Sequence, residues 1–232
     1  MDSGVGCVKR RQTAEEQMTF YDLSEEERVA LTQKAIGEHR TVIERWSTLK
    51  AAEAAPWKAR AAVAAALLIS PKSVLDLGCG LMSLEEFLSP DTAYQPVDVV
   101  SRDNRTIVCD FNKSPPPRKM TEAVTCLGLL EYLFEPASLL NTLSWRHKAA
   151  VISYCATDAP EPIEDRRANA WVNDMSVAQI EAMFQATGWR IVHMEPLDKL
   201  QFIWRLEADE SRKSKLKAAF FELSLILKHA FG

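Results

Sequence analysis

Val74-Leu75-Asp76-Leu77-Gly78-Cys79-Gly80 is an apolar strand that ends in an acid and two glycines. Glycines at that place let the backbone turn sharply and approach a ligand with no side chain in the way. A glycine turn that serves packing alone has the same letters, so the neighbouring strand ends must carry the distinction. Downstream of Pro71, short apolar runs alternate with helical stretches, the pattern of a mainly parallel sheet. The runs predict strands over residues 73–77, 93–97, 106–109, 123–127, 149–154, 189–194 and 200–206. Between them lie a short helix over 84–88, another over 136–143, and one over 176–187 that Ser176 caps and Gly188 stops. The expected fold class is α/β, a seven-stranded, mainly parallel sheet with helices on both faces.

Upstream of the sheet, Ser24 followed by Glu25, Glu26 and Glu27 is an N-cap with an acidic first turn. Val29, Ile36, Val42, Ile43 and Trp46 then predict one long amphipathic helix. Pro56 interrupts it, and residues 57–68 read as a second helix, nearly all alanine and leucine and therefore closely packed. The chain divides into a flexible arm over 1–22, a helical extension over 23–70 packed on the core, a ligand-binding domain over 71–208 and a C-terminal amphipathic helix over 209–232. In that last helix Leu216, Phe220, Leu223, Leu227 and Phe231 share one face. Such a face suits a cover for the domain, a homodimer contact or peripheral contact with an anionic membrane, and the first two are favoured over the third.

With 232 residues and 47% hydrophobic content, the chain can bury one full core. A net charge of −4 provides no broad basic field, so nucleic acid is not expected as a partner. The cysteines Cys7, Cys79, Cys109, Cys126 and Cys155 are odd in number and contain no CxxC pair. They read as reduced, buried thiols of a cytoplasmic protein. Residues 1–17 have no apolar stretch, so no secretory signal is expected, and no apolar run approaches the about 20 residues of a membrane span. No His, Cys and Asp cluster has metal spacing, so no metal is expected.

The strand and turn at residues 74–80 resemble the first motif of the class I S-adenosylmethionine methyltransferases, whose fold is Rossmann-like. The likeness extends over residues 73–206. Asp98 ends the second strand 18 residues after Gly80, near the about 20 at which a carboxylate reaches ribose hydroxyls. The resemblance implies that Asp98, followed by Val99, holds a ribose. It implies that Asp110 accepts the adenine amino group, with Phe111 or Cys109 against the ring. Leu127, Gly128 and Glu131, at the end of the fourth strand, then face the methionine part of the cofactor, and Asp76 or Glu131 answers its positive charge. Together with Gly78, Cys79 and Gly80 these residues form the expected cofactor site. Two departures stand out: Met82 occupies the place of a frequent third glycine, and Glu122 stands where the family commonly has an acid before the fourth strand.

Methyl transfer from a sulfonium needs positioning above all, and a hydroxyl acceptor also benefits from a base. Tyr132, Tyr154 and Asp158, with Asp174 behind them, are the candidates on strand-end loops. Solvated loop acids and a core tyrosine are equally fair readings of these residues. His147 precedes the fifth strand, at the wrong end of the sheet, and reads as a surface residue. His193 reads as a half-buried strand residue. The polar segment over 154–175 follows the fifth strand at the ligand-binding end, so Arg166, Arg167, Asn169, Trp171 and Asn173 are candidates for an acceptor site. Ser153-Tyr154 and Trp171-Val172-Asn173 also resemble small bacterial methyltransferases associated with glycan genes. That likeness suggests a small-molecule or glycan acceptor methylated at oxygen. The alternatives are a non-catalytic module that keeps the fold for interaction, and a nicotinamide-dependent oxidoreductase. The oxidoreductase reading is weakened by Ser83 at the third-glycine position of that pattern.

Overall fold

The computed structural model describes residues 19–49, 56–212 and 214. Seven strands form one sheet: β1 Ser73–Leu77, β2 Ala93–Asp98, β3 Ile107–Val108, β4 Ala123–Leu127, β5 Ala149–Cys155, β6 Trp189–Pro196 and β7 Gln201–Ala208. Their order across the sheet is β3-β2-β1-β4-β5-β7-β6. The first five are parallel, and β7 runs antiparallel to both β5 and β6. From β1 the chain moves outward to β2 and β3, then returns to the other side of β1 for β4. That reversal opens a crevice beyond the carboxyl ends of β1 and β4, where ligands bind in open α/β sheets.

Alternation along the central strands assigns the two faces. Leu75 and Leu77 of β1, with Val124 and Cys126 of β4, pack with Leu139, Leu140 and Leu143 of α4 (Pro136–Arg146) and with Ile180 and Phe184 of α5 (Val177–Ala186). Val74, Ala123, Leu127 and Val151 point to the opposite face, against Ala61, Ala64 and Leu68 of α3 (Trp57–Leu68). Small alanines at those spacings let α3 lie close to the sheet. Ser176 accepts from the Gln179 amide in a capping box, Pro136 occupies the first turn of α4, and Gly188 takes φ +88° after α5. The predicted starts of α4 and α5 follow from those residues, whereas α4 runs past the expected 143 to Arg146 and the short helix expected over 84–88 is a 3-10 turn, Glu85–Phe87.

The long helix expected from Ser24 through Trp46 is two helices, α1 Glu25–Gly37 and α2 Glu44–Ser47. His39 takes a left-handed φ of 51°, the Arg40 amide closes back on the Ala35 carbonyl, and the chain leaves the α1 axis. The buried residues of α1 are Thr32 and Ala35 rather than Val29 and Ile36. Thr32 donates to the carbonyls of Arg28 and Arg167, which docks α1 on the loop after β5. Residues 19–22, assigned to the arm, include Phe20, which is buried with Ala35, Val42 and Ala170. The face of Leu216 to Phe231 lies outside the described residues, as does most of the expected arm. Among the described residues no helix is long and apolar enough to cross a membrane.

Two histidine expectations are corrected. His147 is 1% exposed, its Nδ1 set against the Thr121 hydroxyl and carbonyl, because the chain turns inward between α4 and β5. His193 is exposed on the edge strand β6, 3.7 Å from Glu195.

Candidate functional site

At the crevice the chain leaves β1 through Gly78 at φ +72° and Gly80 at φ +51°. A Cβ on Gly78 would meet the Leu129 side chain at 3.1 Å, and one on Gly80 would meet the Trp57 ring at 3.2 Å. Met82, at the third-glycine place, carries φ +57° itself, and its amide bonds to the Cys79 carbonyl at 2.8 Å. The turn therefore keeps its left-handed step without glycine. Two cavities flank it. The larger, about 280 Å³, is lined by Asp76, Gly78, Cys79, Gly80, Leu127, Gly128, Glu131 and Tyr132 of the sheet ends. Tyr21, Arg45, Trp46, Trp57, Arg60, Asn169, Trp171, Asp198 and Gln201 are among its other wall residues. The smaller, about 50 Å³, lies among Asp98, Val99, Asp110, Phe111, Leu129 and Thr41. Trp46, Gly78, Gly128 and Tyr132 border both.

All the residues assigned to the cofactor site thus converge on one cleft. Their carboxylates do different work. Asp76 is 3% exposed and accepts from Thr125 at 2.7 Å, its register partner on β4, and from the Tyr94 hydroxyl at 2.6 Å. Burial raises its pKa, and the two hydroxyl donors oppose the rise. Asp98 accepts from the Gly80 amide at 2.8 Å, the Val100 amide at 3.2 Å and the Arg102 guanidinium at 3.2 Å. Asp110 accepts from the Thr41 hydroxyl at 2.6 Å and the Asn112 amide at 3.1 Å.

Glu131 differs from these three. It is 1% exposed; one oxygen accepts from the Cys155 amide at 2.9 Å and the other, Oε2, is buried with no hydrogen-bond partner. Burial raises its pKa, and Arg60 and Arg166 pull it back. Arg60 lines the same cavity, with a buried, unpartnered Nε and one long contact, NH1 to Gln201 Oε1 at 3.5 Å. Burial lowers its pKa, and Glu131 is the foremost charge opposing that. Its NH1 lies where a Cβ of Gly128 would be, 2.6 Å from that position, so the glycine at φ +68° makes room for the guanidinium. The buried Glu131 carboxyl and the partly buried Arg60 guanidinium thus line one cavity, each with hydrogen-bonding capacity unused.

The three candidate bases separate. Tyr132 lines both cavities, but burial raises its pKa. Tyr154 points to the α4 and α5 face of β5, opposite its neighbour Cys155, which lines the larger cavity. Its hydroxyl donates to Asn173 and accepts from Arg166 and the Met175 amide. Asp158 is exposed and accepts from the Val177 amide at the start of α5. Of the acceptor-site candidates, Asn169 and Trp171 line the cavity, Arg166 is buried beneath it, and Arg167 pairs with Asp174. Asn173 is spent on the Leu130 and Leu133 carbonyls. Among the described residues no group of three or more His, Cys, Asp or Glu side chains is placed to hold a metal ion.

Thr41, Tyr21, Trp46, Trp57 and Arg60 were missed from the sequence. A signal existed for Trp57 and Arg60, the bulky ring and the guanidinium three residues apart in an alanine helix and hence on one face. The others lie far along the chain from the motifs and carry no local pattern.

No protein-family model and no curated protein matches the sequence. Solved structures do match in fold. The 1,6-didemethyltoxoflavin-N1-methyltransferase of Burkholderia thailandensis, crystallised with 1,6-didemethyltoxoflavin and S-adenosylhomocysteine, aligns with a TM-score of 0.55 at 14% identity, over 80% of this chain and 91% of that one. The N-methyltransferase NodS of Bradyrhizobium japonicum, in complex with S-adenosylhomocysteine, aligns with a TM-score of 0.53 at 10% identity, over 76% and 98%. An S-adenosylmethionine-dependent methyltransferase of Mesorhizobium loti gives 0.52 at 15% identity, over 64% and 97%. The chain has the Rossmann-like α/β fold of these methyltransferases, mostly parallel with an antiparallel β6–β7 hairpin.

Proposed function

We propose that the chain is an S-adenosylmethionine-dependent methyltransferase acting on a small-molecule acceptor. The observation that carries this is that Arg60 and Glu131 line one cavity, each with a polar atom left without a partner, beside the bare turn of Gly78 to Gly80. An amino-acid end offers a carboxylate to the first and an ammonium to the second, and so answers both orphaned groups at once. Asp98 and Val99 would take the ribose, and Asp110 and Phe111 the adenine. Bound there, the cofactor supplies a methyl group already activated on a sulfonium.

The protein's part is then to bind, orient and exclude water. Trp171, Tyr21 and Asn169 wall the larger cavity beyond Glu131, where the acceptor would lie. The bound 1,6-didemethyltoxoflavin of the Burkholderia enzyme supports a small molecule as the class. Within it, we keep a hydroxylated or glycan acceptor, methylated at oxygen, as the finer reading. Of the three candidate bases, Tyr132 alone borders the cavity, and burial holds its proton on. Positioning, rather than deprotonation by these residues, would carry the rate. The free cysteines Cys79, Cys109, Cys126 and Cys155 support a cytoplasmic setting. A homodimer or membrane contact through the C-terminal helix is a further proposal of the sequence.

A second reading, the non-catalytic module, has one observation in its favour: Asp98 and Asp110 already have internal donors. Calorimetry with S-adenosylhomocysteine separates the two. Measurable binding, followed by transfer of labelled methyl to a panel of hydroxylated small molecules and sugars, is the expected result. Absence of binding by the folded chain would overturn the enzyme reading.

A further inference from the structure

The segment that follows α1 does more than wall the cleft. His39 turns the chain at φ 51° and stacks on Phe134, with ring centroids 4.1 Å apart. Thr41 then places its hydroxyl 2.6 Å from Asp110 Oδ1 and receives the Asn112 side-chain amide at 3.0 Å. At the end of the segment the Trp46 carbonyl accepts from Arg102 at 3.0 Å, and the same guanidinium holds Asp98 at 3.2 Å. The Trp46 ring meets Tyr132 edge-on at 4.8 Å. Residues 38–47 are therefore fastened to both carboxylates at which the proposed nucleoside would bind.

The space left between them is about 50 Å³. That is room for a few waters, whereas ligand pockets run to about 300 Å³ or more. The donors in place match those a nucleoside would bring. A hydroxyl sits on Asp110, where an adenine amino group would donate, and a guanidinium sits on Asp98, where ribose hydroxyls would donate. A carboxylate withdrawn from water is costly without donors, and the fold supplies them to the buried Asp98 and to Oδ1 of the partly buried Asp110.

We propose that residues 38–47 form a gate over the nucleoside half of the cleft, held shut by Thr41 on Asp110 and by Arg102 bridging Asp98 to the Trp46 carbonyl. An adenosyl ligand binds by exchanging with these donors. The inference rests on the cofactor reading above. Because the ligand competes with the latch, its apparent affinity is the intrinsic affinity reduced by the fraction of open chains. Weakening the latch then tightens binding.

Thr41→Val keeps the shape of the side chain and deletes the hydroxyl, while Thr41→Ser keeps the hydroxyl. Titrating S-adenosylhomocysteine into wild type and both variants by calorimetry tests the gate. The expected result is about three- to tenfold tighter binding by Thr41→Val, with Thr41→Ser close to wild type. Binding by Thr41→Val that is equal to wild type, or weaker, would overturn the gate and leave the cofactor reading standing. No binding by any of the three folded chains would overturn both. Should Thr41→Val fail to fold, Thr41→Ala deletes the same hydroxyl and is read the same way.

Discussion

The two halves of the cleft are built on opposite terms. In the half bordered by β2 and β3 each carboxylate already takes donors from within: Asp98 from Gly80, Val100 and Arg102, and Asp110 from Thr41 and Asn112 on Oδ1, with the Lys113 ammonium 3.4 Å from Oδ2. In the half bordered by β4 and β5, the buried Glu131 and the partly buried Arg60 each keep a polar atom, Oε2 and Nε, without a hydrogen-bond partner. On the proposed reading the first half would have to be opened, and the second has bonding capacity that a zwitterion would fill. Binding energy gained at the charged end is thus available to offset the exchange at the nucleoside end. The difference teaches that affinity for a whole cofactor and affinity for its fragments should not run in parallel.

The sharpest way to break that contrast is to remove the cation. Arg60→Met keeps much of the stem on Trp57 and deletes the guanidinium. Affinity for S-adenosylhomocysteine should fall by about 1.5–3 kcal/mol, the worth of hydrogen bonds to a charged group. Affinity for adenosine, which lacks the amino-acid end, should not change. A loss shared equally by both probes in calorimetry would refute the zwitterion assignment.

Asp98→Ala attacks the other half. Loss of a charge-assisted acceptor should weaken the adenosyl probes by about 1–3 kcal/mol, here with adenosine and S-adenosylhomocysteine affected alike. The variant also strands Arg102 and the Gly80 amide, so its melting temperature should fall too. Unchanged affinity in the folded variant would remove Asp98 from the ribose site.

Gly128→Ala probes the border between the halves. A left-handed residue costs about 1–2 kcal/mol when it acquires a Cβ, and here that Cβ would press on Arg60 NH1. Since the far end of an arginine can move, the expected outcome is a modest loss of stability in denaturant melts, with Arg60 displaced from the cavity. S-adenosylhomocysteine should weaken more than adenosine does; the reverse order would mean that Gly128 serves the nucleoside instead.

How much of this was legible follows from distance along the chain. Asp76, Gly78 and Gly80 belong to the end of β1, Asp98 ends β2, and Asp110 and Glu131 follow β3 and β4; they were readable as neighbours because strand tips on one sheet end converge whatever the loops do. Tyr154 was misjudged by one step of the pleat: it shares a strand end with Cys155 but faces the opposite side. Asp158 was in the right loop, yet the first turn of α5 needed its carboxylate more than the cleft did. Thr41 could not be read, since its partner Asp110 is 69 residues away and a threonine after a helix advertises nothing. The break in the expected long helix was the missing clue, because only a bent segment delivers Thr41 and Trp46 to the cleft.

The smallest effect expected concerns protons. Burial raises the pKa of Glu131 above the ordinary carboxylate value, so between the two values the folded chain keeps a proton that the unfolded chain has released. Stability from this group is fully present below the unfolded pKa and is lost as pH rises through the folded one. An ammonium placed against Glu131 reverses the preference, because it favours the charged form and lowers the pKa. Binding in the window between the ordinary and the raised value must therefore release up to about one proton. Affinity for S-adenosylhomocysteine should rise with pH across that window, and the heat of binding should depend on the ionisation enthalpy of the buffer. In Glu131→Gln both dependences should flatten, although the amide can still accept from the ligand. A wild-type chain whose heat is the same in two buffers of unlike ionisation enthalpy would place the ammonium away from Glu131, and the charged half would lose the feature that sets it apart from its neighbour.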